Sequence, residues 1–309
     1  MDPIEGIKVT KDSTFSMLLE AQNRGYEIHY LQASDLFLTD GIVIANTSQI
    51  CVQDQSSNWF EVKDSKQIEM SQLDAVLMRK DPPFNMEYIY TTYLLDRVQE
   101  LGTLIINHPT SLRNANEKLF ATQFNDCIVP YVVAKQQKIL NEFIDEYKKV
   151  VVKPLDGMAG DSVFQVEHND INRNVILETI TQLEQRTVIA QKHIPEFVDG
   201  DKRVLLINGD PIPYALLRVP LKGELRANLA KGGTGKGIEL NARDYYICDQ
   251  IKPMLKAMQL SFVGIDIIGE YLTEINVTSP TGIRELDKMY NLNISATLFN
   301  HIETQLKAS

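Results

Sequence analysis

The sequence predicts a mixed chain, an N-terminal α/β part followed by an α+β part. Three observations predict this. Helix-like and strand-like segments alternate over residues 1–110, as in a parallel sheet covered on both faces. From about residue 116 short strands follow one another around a hairpin signal, Asn208-Gly209-Asp210, as in antiparallel pairing. The 309 residues are enough for two domains or three small ones.

The pattern predicts a helix over 14–24 stopped by Gly25, then a strand over 26–31. Residues 73–78 form a short apolar strand, and Pro82 and Pro83 forbid helix just after it. An amphipathic helix over 88–101 closes at Gly102, and 103–107 is the next strand. Ligands in such sheets sit beyond the carboxyl ends of the strands. Those ends carry Arg79-Lys80-Asp81 and Asn107-His108-Pro109. Further on, helices are expected over 117–124 and 136–149, and short strands over 150–153, 162–166, 187–191, 203–207 and 214–219. A helix over 242–259, a strand pair within 262–277 and a closing helix over 294–306 complete the chain.

Lys and Arg number 31 and Asp and Glu 41, a net charge of −10. That balance argues against a general nucleic-acid or anionic-membrane binder, while leaving room for a small anionic ligand in a local basic cleft. With 44% hydrophobic and 23% charged residues the chain is neither disordered nor fibrous. No apolar run approaches the roughly 20 residues that cross a bilayer. The start, Met1-Asp2-Pro3-Ile4-Glu5-Gly6, lacks the basic and apolar regions of a signal peptide. Cys51, Cys127 and Cys248 have neither metal spacing nor the even count of a disulfide framework, so they are expected to be reduced thiols of a cytoplasmic protein. The five histidines show no ligand spacing and are read as structural.

Four groups of residues carry chemistry. The first is Asp266, Glu274 and Asn276. Period-2 geometry puts Glu274 and Asn276 on one strand face, with Ile275 on the other. A three-residue turn, Gly269-Glu270-Tyr271, would pair Ile268 with Leu272 and Asp266 with Glu274, so that three oxygen ligands converge. A two-residue turn would send Asp266 to the opposite face. Two carboxylates directly opposite each other call for a cation between them, and hard oxygen donors suit magnesium carried with phosphates. The competing reading is a solvated acidic hairpin. The second group is the loop Leu155-Asp156-Gly157-Met158-Ala159-Gly160-Asp161-Ser162 between two strands, whose backbone N–H groups could lie over a polyphosphate. It is not a Walker A loop. Lys153, ending the apolar run Val150-Val151-Val152, needs an anion, and Lys118 at a helix head is a second candidate. The third is the glycine-rich basic stretch 219–237, with Lys222, Arg226, Lys231 and Lys236; it reads as a mobile lid or as a disordered insertion. The fourth is Arg79-Lys80-Asp81-Pro82-Pro83-Phe84, two cations on a rigid turn suited to a carboxylate. Arg203 and Arg218 lie on hairpin strands, where exposed side chains are the default.

Together Met78-Arg79-Lys80-Asp81-Pro82-Pro83-Phe84, Asn114-Ala115-Asn116-Glu117-Lys118, Lys153-Pro154-Leu155-Asp156-Gly157-Met158, Gly200-Asp201-Lys202-Arg203-Val204 and Leu272-Thr273-Glu274-Ile275-Asn276-Val277-Thr278-Ser279-Pro280-Thr281 resemble the bacterial glutathione synthetase family of the ATP-grasp superfamily, from Met1 to the last helix. The resemblance implies an ATP-grasp fold. Its parts would be an N-terminal parallel α/β domain over 1–115, a small central lid domain over 116–193 and a C-terminal antiparallel-sheet domain over 194–309. It implies ATP-dependent ligation of γ-glutamylcysteine to glycine through an acyl phosphate, giving glutathione, ADP and phosphate. It implies Mg2+, with Mn2+ able to substitute, on Asp266, Glu274 and Asn276. Lys118 and Lys153 would hold phosphates under Gly157, Met158, Ala159, Gly160 and Ser162. Adenine would lie against Gln191, Lys192, His193 and Ile194, with Asp201 at the ribose. Arg203 would stabilise the transferring phosphoryl, with Arg226 as a second catalytic cation in the lid. Arg79 and Arg218 would contact substrate, and Ser279, Pro280 and Thr281 would form the glycine pocket. The family suggests a cytoplasmic homotetramer with small-molecule partners, neither nucleic acid nor membrane. Two departures stand out. The family's short first strand precedes the segment resembling Met1-Asp2-Pro3-Ile4, and Ala159 stands where glycine is usual, near the acidic Asp161. The alternatives are another carboxylate–amine ligase and a non-catalytic ATP-binding module.

Overall fold

The computed structural model describes residues 1–157, 162–221 and 234–308. The chain opens with α1 (Ser13–Asn23), whose first turn is capped by Asp12 accepting from the Phe15 N–H at 2.6 Å. Four strands follow: β1 (Ile28–Tyr30), β2 (Leu36–Thr39), β3 (Ile42–Val52) and β4 (Phe60–Glu69). All pair antiparallel, with β3 at the centre. This corrects the expectation of a parallel sheet throughout residues 1–110. Parallel pairing is confined to β5 (Ala75–Leu77) and β6 (Leu104–Ile106), joined across α2 (Met86–Glu100). The long β3–β4 hairpin escapes a periodicity reading because β4 is exposed along nearly its whole length and offers no apolar face. The preceding β2–β3 hairpin did carry a local signal, Asp40-Gly41, both at positive φ (48° and 84°), a two-residue turn between Thr39 and Ile42.

The short helices α3 (Pro109–Asn114) and α4 (Glu117–Ala121) lead into the second unit. There β7 (Tyr131–Ala134), α5 (Gln137–Tyr147), β8 (Lys149–Pro154), β9 (Phe164–Glu167), α6 (Arg173–Ile180) and β10 (Val188–Lys192) make a sheet in the order β7-β10-β8-β9. Its pairings are antiparallel, and a small core of Leu140, Ile144, Val150, Val152, Leu177 and Val188 fills the space under α5 and α6. Alternation along β8 buries Val150 and Val152 and leaves Val151 and Lys153 on the other face.

The third unit begins with β11 (Asp201–Ile207) and β12 (Asp210–Val219), closed by Asn208-Gly209 at φ 51° and 77°. Next come β13 (Thr234–Glu239), α7 (Ala242–Ala257), β14 (Phe262–Ile268), β15 (Tyr271–Asn276), α8 (Ile283–Tyr290) and α9 (Ile294–Ala308). The five-stranded antiparallel sheet runs β13-β12-β11-β14-β15. Residues 234–237, read from sequence as the end of a lid, are therefore sheet, paired with β12. One sheet face carries Val204, Val263, Ile265, Ile267, Leu272 and Ile275 into the core against α7. At one end the other face packs Leu205 and Phe262 with Ile283 and Leu298 from α8 and α9. Its remaining length is polar and faces the other two units. Among the described residues no helix is long and apolar enough to cross a membrane.

Asn107, at the end of β6, joins the first unit to the third. Its amide Nδ2 donates to the carbonyls of Phe262 and Val277, both at 2.8 Å, and its Oδ1 accepts from the Phe262 N–H at 2.9 Å. A strand end that the sequence marked for ligand contact is thus spent on architecture. Asn107→Ala would strand three buried backbone groups. The expected loss is on the order of 3 kcal/mol, at about 1–3 kcal/mol for each such group. A urea midpoint at constant m-value measures it, and a loss below about 0.5 kcal/mol would contradict the assignment.

Candidate active site

The polar face is assembled by strand register. Asp201 stands opposite Arg218, Arg203 opposite Asp266, Asp266 opposite Glu274, and Gly264 opposite Asn276. The β14–β15 turn has two residues, Gly269 and Glu270, because Ile268 pairs with Tyr271 rather than Leu272. Such a turn alone would separate the acids. A bulge between Asp266 and Ile267 adds Thr273 on β15 and restores the facing pair, and the Thr273 hydroxyl donates to the Asp266 carbonyl at 3.1 Å. Gly264 has a separate necessity: a Cβ there would lie 2.7 Å from Pro280 Cβ and 3.0 Å from Arg203 Cδ.

Arg203 and Arg218 are buried, contrary to the exposure expected of hairpin strands, because the face they share with Asp266 is covered by the other units. Arg203 Nε and Nη2 donate to the two Asp266 oxygens at 2.6 and 3.0 Å. Arg218 donates to both Asp201 oxygens at 2.6 and 2.7 Å and reaches Asp266 at 2.9 Å. Burial alone would raise the Asp266 carboxyl, but the two guanidiniums overcome it and hold that group well below the usual carboxylate range. The Asn276 amide lies 3.3 Å from Asp266 Oδ2. Glu274 Oε1 is approached by Lys118 Nζ at 3.7 Å and Lys153 Nζ at 3.9 Å, and Lys118 also donates to the Gly157 carbonyl at 2.7 Å. Burial pushes the Lys153 ammonium below its ordinary value despite Glu274, so this cation is under-compensated.

These side chains line one cavity of about 690 Å³. Gln191, Lys192, His193 and Ile194 line it where β10 ends, together with Asp201. Ser279, Pro280 and Thr281 line it beyond β15. Ser162 does not; it is exposed, at φ 59°. Met158, Ala159, Gly160 and Asp161, and Arg226 with the rest of 222–233, lie outside the described residues. Arg79 is buried at the cavity wall, donating to Thr14 Oγ1 at 3.1 Å and to the Pro280 carbonyl at 2.8 Å, over the Phe262 ring. It makes no ion pair among the described residues, and burial brings its pKa down to about 10 against the pull of Asp12 and Asp81. Its neighbour Lys80 turns away to Asp2, so the two cations of that segment do not act together.

Sequence reasoning missed several residues that the fold brings here. Lys11, Asp12 and Glu285 line the end of the cavity near Arg79. Burial raises the Asp12 and Glu285 carboxyls, and Glu285 Oε2 is buried without a hydrogen-bond partner among the described residues. Glu117 also lines the cavity and accepts from the segment after β15. Asp12 was legible as a helix cap; nothing local marked the other three.

Among the described residues no cluster of three His, Cys, Asp or Glu side chains is arranged to hold a metal, so a cation site here rests on two carboxylates and an amide. That donor set is hard and lies on one strand-pair face, and the lysines and arginines beside it suit phosphates, which fits a divalent ion shared with phosphates.

The architecture is that of an ATP-grasp ligase. The ATP-grasp ligase PsnB, solved with the precursor peptide PsnA2 and AMPPNP, superposes with a TM-score of 0.62 over 99% of this chain and 96% of that chain, at 18% identity. The description "Prokaryotic glutathione synthetase, N-terminal domain" matches residues 1–113, and "Prokaryotic glutathione synthetase, ATP-grasp domain" matches residues 117–291. The glutathione synthetase of Vibrio parahaemolyticus is 48% identical over 307 residues, covering 99% of this chain and 97% of that protein. That of Coxiella burnetii is 48% identical, covering 99% and 95%. The chain belongs to the prokaryotic glutathione synthetase family, and by fold and family it is an ATP-dependent ligase.

Asp266→Asn leaves the buried Arg203 guanidinium without its carboxylate, while Arg218 keeps Asp201. Breaking a buried pair by removing one partner costs about 3–5 kcal/mol. A urea titration of the metal-free protein should show a loss in that range, and an unchanged midpoint would mean that Arg203 is compensated elsewhere.

Proposed function

We propose that this chain joins γ-glutamylcysteine to glycine with ATP, releasing glutathione, ADP and phosphate. The observation that carries the reading is the facing pair Asp266 and Glu274, with Asn276, set among Lys118, Lys153, Arg203 and Arg218 in one cavity. A carboxylate is a poor electrophile. Transfer of the γ-phosphoryl to the carboxylate of the cysteine residue makes an acyl phosphate, which the glycine amine then attacks with loss of phosphate. The protein's part is positioning and charge neutralisation. Lys118 and Lys153 hold phosphates; the under-compensated Lys153 is suited to an incoming anion. Arg203 stabilises charge on the transferring group and on the tetrahedral intermediate, and Arg218, steadied by Asp201 and Asp266, contacts substrate. Mg2+, with Mn2+ as substitute, would be held by Asp266, Glu274 and Asn276 and would neutralise phosphate charge when bound.

At the far end of the cavity the zwitterionic γ-glutamyl group needs a cation for its carboxylate and an acid for its ammonium. Arg79 and Lys11 supply the first, Asp12 and the unpartnered oxygen of Glu285 the second. Ser279 to Thr281 form the glycine pocket. Gln191, Lys192, His193 and Ile194 border the adenine, with Asp201 at the ribose. Gly157 with Met158, Ala159 and Gly160, and Arg226 in the lid, keep the roles that the family resemblance gives them. Three free thiols fit a cytoplasmic enzyme, and the reading carries with it the homotetramer that the family resemblance suggests.

Glu274→Gln should lower turnover by about a hundredfold or more while leaving the melting temperature within a few degrees. A coupled ADP-release assay measures the loss, and near-parent activity would remove the cation assignment. In the same assay γ-glutamylcysteine plus glycine should saturate at lower concentration than D-alanine or glutamate substrates. Nucleotide binding without turnover on any amine would overturn the ligation reading. Light scattering should find four chains per particle, and a monomer would remove the tetramer.

A further inference from the structure

We propose that Glu117 is a positioning residue for the pocket that receives the amino-group donor. This rests on the ligase reading above. Glu117 Oε1 accepts three hydrogen bonds: from the Val277 N–H at 3.0 Å, the Thr278 N–H at 3.2 Å and the Thr278 hydroxyl at 2.9 Å. A carboxylate that gathers three donors is an anchor, since charge-assisted bonds are about twice as strong as neutral ones. It sits in the first turn of α4, where negative charge is favoured.

The anchored dipeptide is held from both sides. Glu117 takes the Val277 N–H, and Asn107 donates to the Val277 carbonyl at 2.8 Å. Immediately before it is Asn276, on the polar face. Immediately after it come Ser279, Pro280 and Thr281, and Arg79 holds the Pro280 carbonyl at 2.8 Å. The pocket residues thus hang between two anchors, and Glu117 is the one at the strand end. The next residue along the helix is Lys118, whose ammonium reaches the Gly157 carbonyl and Glu274. One turn of α4 therefore carries both a cation of the phosphate side and the anchor of the acceptor side. A shift of this turn moves both together. A reaction that needs the amine to meet a phosphorylated carboxylate depends on that spacing, because misplacement by an ångström is costly.

The effect is expected in acceptor binding rather than nucleotide binding. Glu117→Ala should raise KM for glycine by about tenfold or more, as expected for the loss of at least one charge-assisted hydrogen bond, and leave KM for ATP within about twofold. Glu117→Gln keeps an acceptor oxygen and should recover most of the loss. Thr278→Val, which removes one of the three donors, should give a smaller rise, about threefold, and should be non-additive with Glu117→Gln. Should Glu117→Ala fail to fold, those two variants and their double mutant carry the test. Amide hydrogen exchange gives a readout independent of turnover: the Val277 and Thr278 amides should be protected in the parent, exchange faster in Glu117→Ala and stay close to the parent in Glu117→Gln. Equal rises in both KM values, or an unchanged glycine KM with unchanged exchange, would overturn the positioning role. A parent chain that makes no product from glycine would overturn the ligase reading instead, and the exchange result would still decide the anchor.

Discussion

In an antiparallel hairpin closed by two residues, side-chain parity would place Asp266 opposite Thr273 and turn Glu274 into the core against α7. One extra residue on β15 reverses this. Asp266 then meets Glu274, Gly264 meets Asn276, and Leu272 and Ile275 still reach the same apolar core although three positions apart. The bulge is stabilised by its own hydroxyl, which Thr273 donates to the Asp266 carbonyl. Every later feature of the site assumes this offset: the facing acids, the amide beside them and the glycine that lets Pro280 and Arg203 approach.

Acids brought face to face repel, and the cations around them come from more than one unit. Arg203 and Arg218 are on the same sheet, Lys153 is on β8, and Lys118 is on α4. Desolvating so many charges roughly offsets their mutual attraction, so the cluster is no device for stability; apolar residues would serve the sheet as well or better. It is what a site needs if it must hold a polyphosphate and a carboxylate next to each other out of water.

The segment after β15 shows how the units are knitted together. Asn107, Glu117 and Arg79 hold Val277, Thr278 and Pro280, and the Ser13 hydroxyl accepts from the Gly282 and Ile283 N–H groups at 3.1 and 3.2 Å. The first turn of α1, the strand end of β6 and the first turn of α4 thus all end on one loop. These contacts hold Arg79 at the cavity wall, while Lys80, beside it, is drawn off to Asp2. They also explain the burial of Arg203 and Arg218, which no strand pattern announces.

Much was legible in the sequence alone: α1, α2, α7 and α9, the Asn208-Gly209 hairpin, the acidic hairpin strands, and the lysines that end β8 and begin α4. Periodicity, caps and turn chemistry depend on residues a few positions apart, so short segments carry them. The exposed β3–β4 hairpin and the strand at 234–239 lacked such a local pattern or wore the composition of a loop, and α6 and α8 are only eight residues each. The Thr273 bulge, the unpartnered oxygen of Glu285 and the grip of Glu117 on Thr278 were settled only by tertiary structure. They join residues far apart in the chain, or hinge on a one-residue register shift whose cost is decided by the core packed behind it.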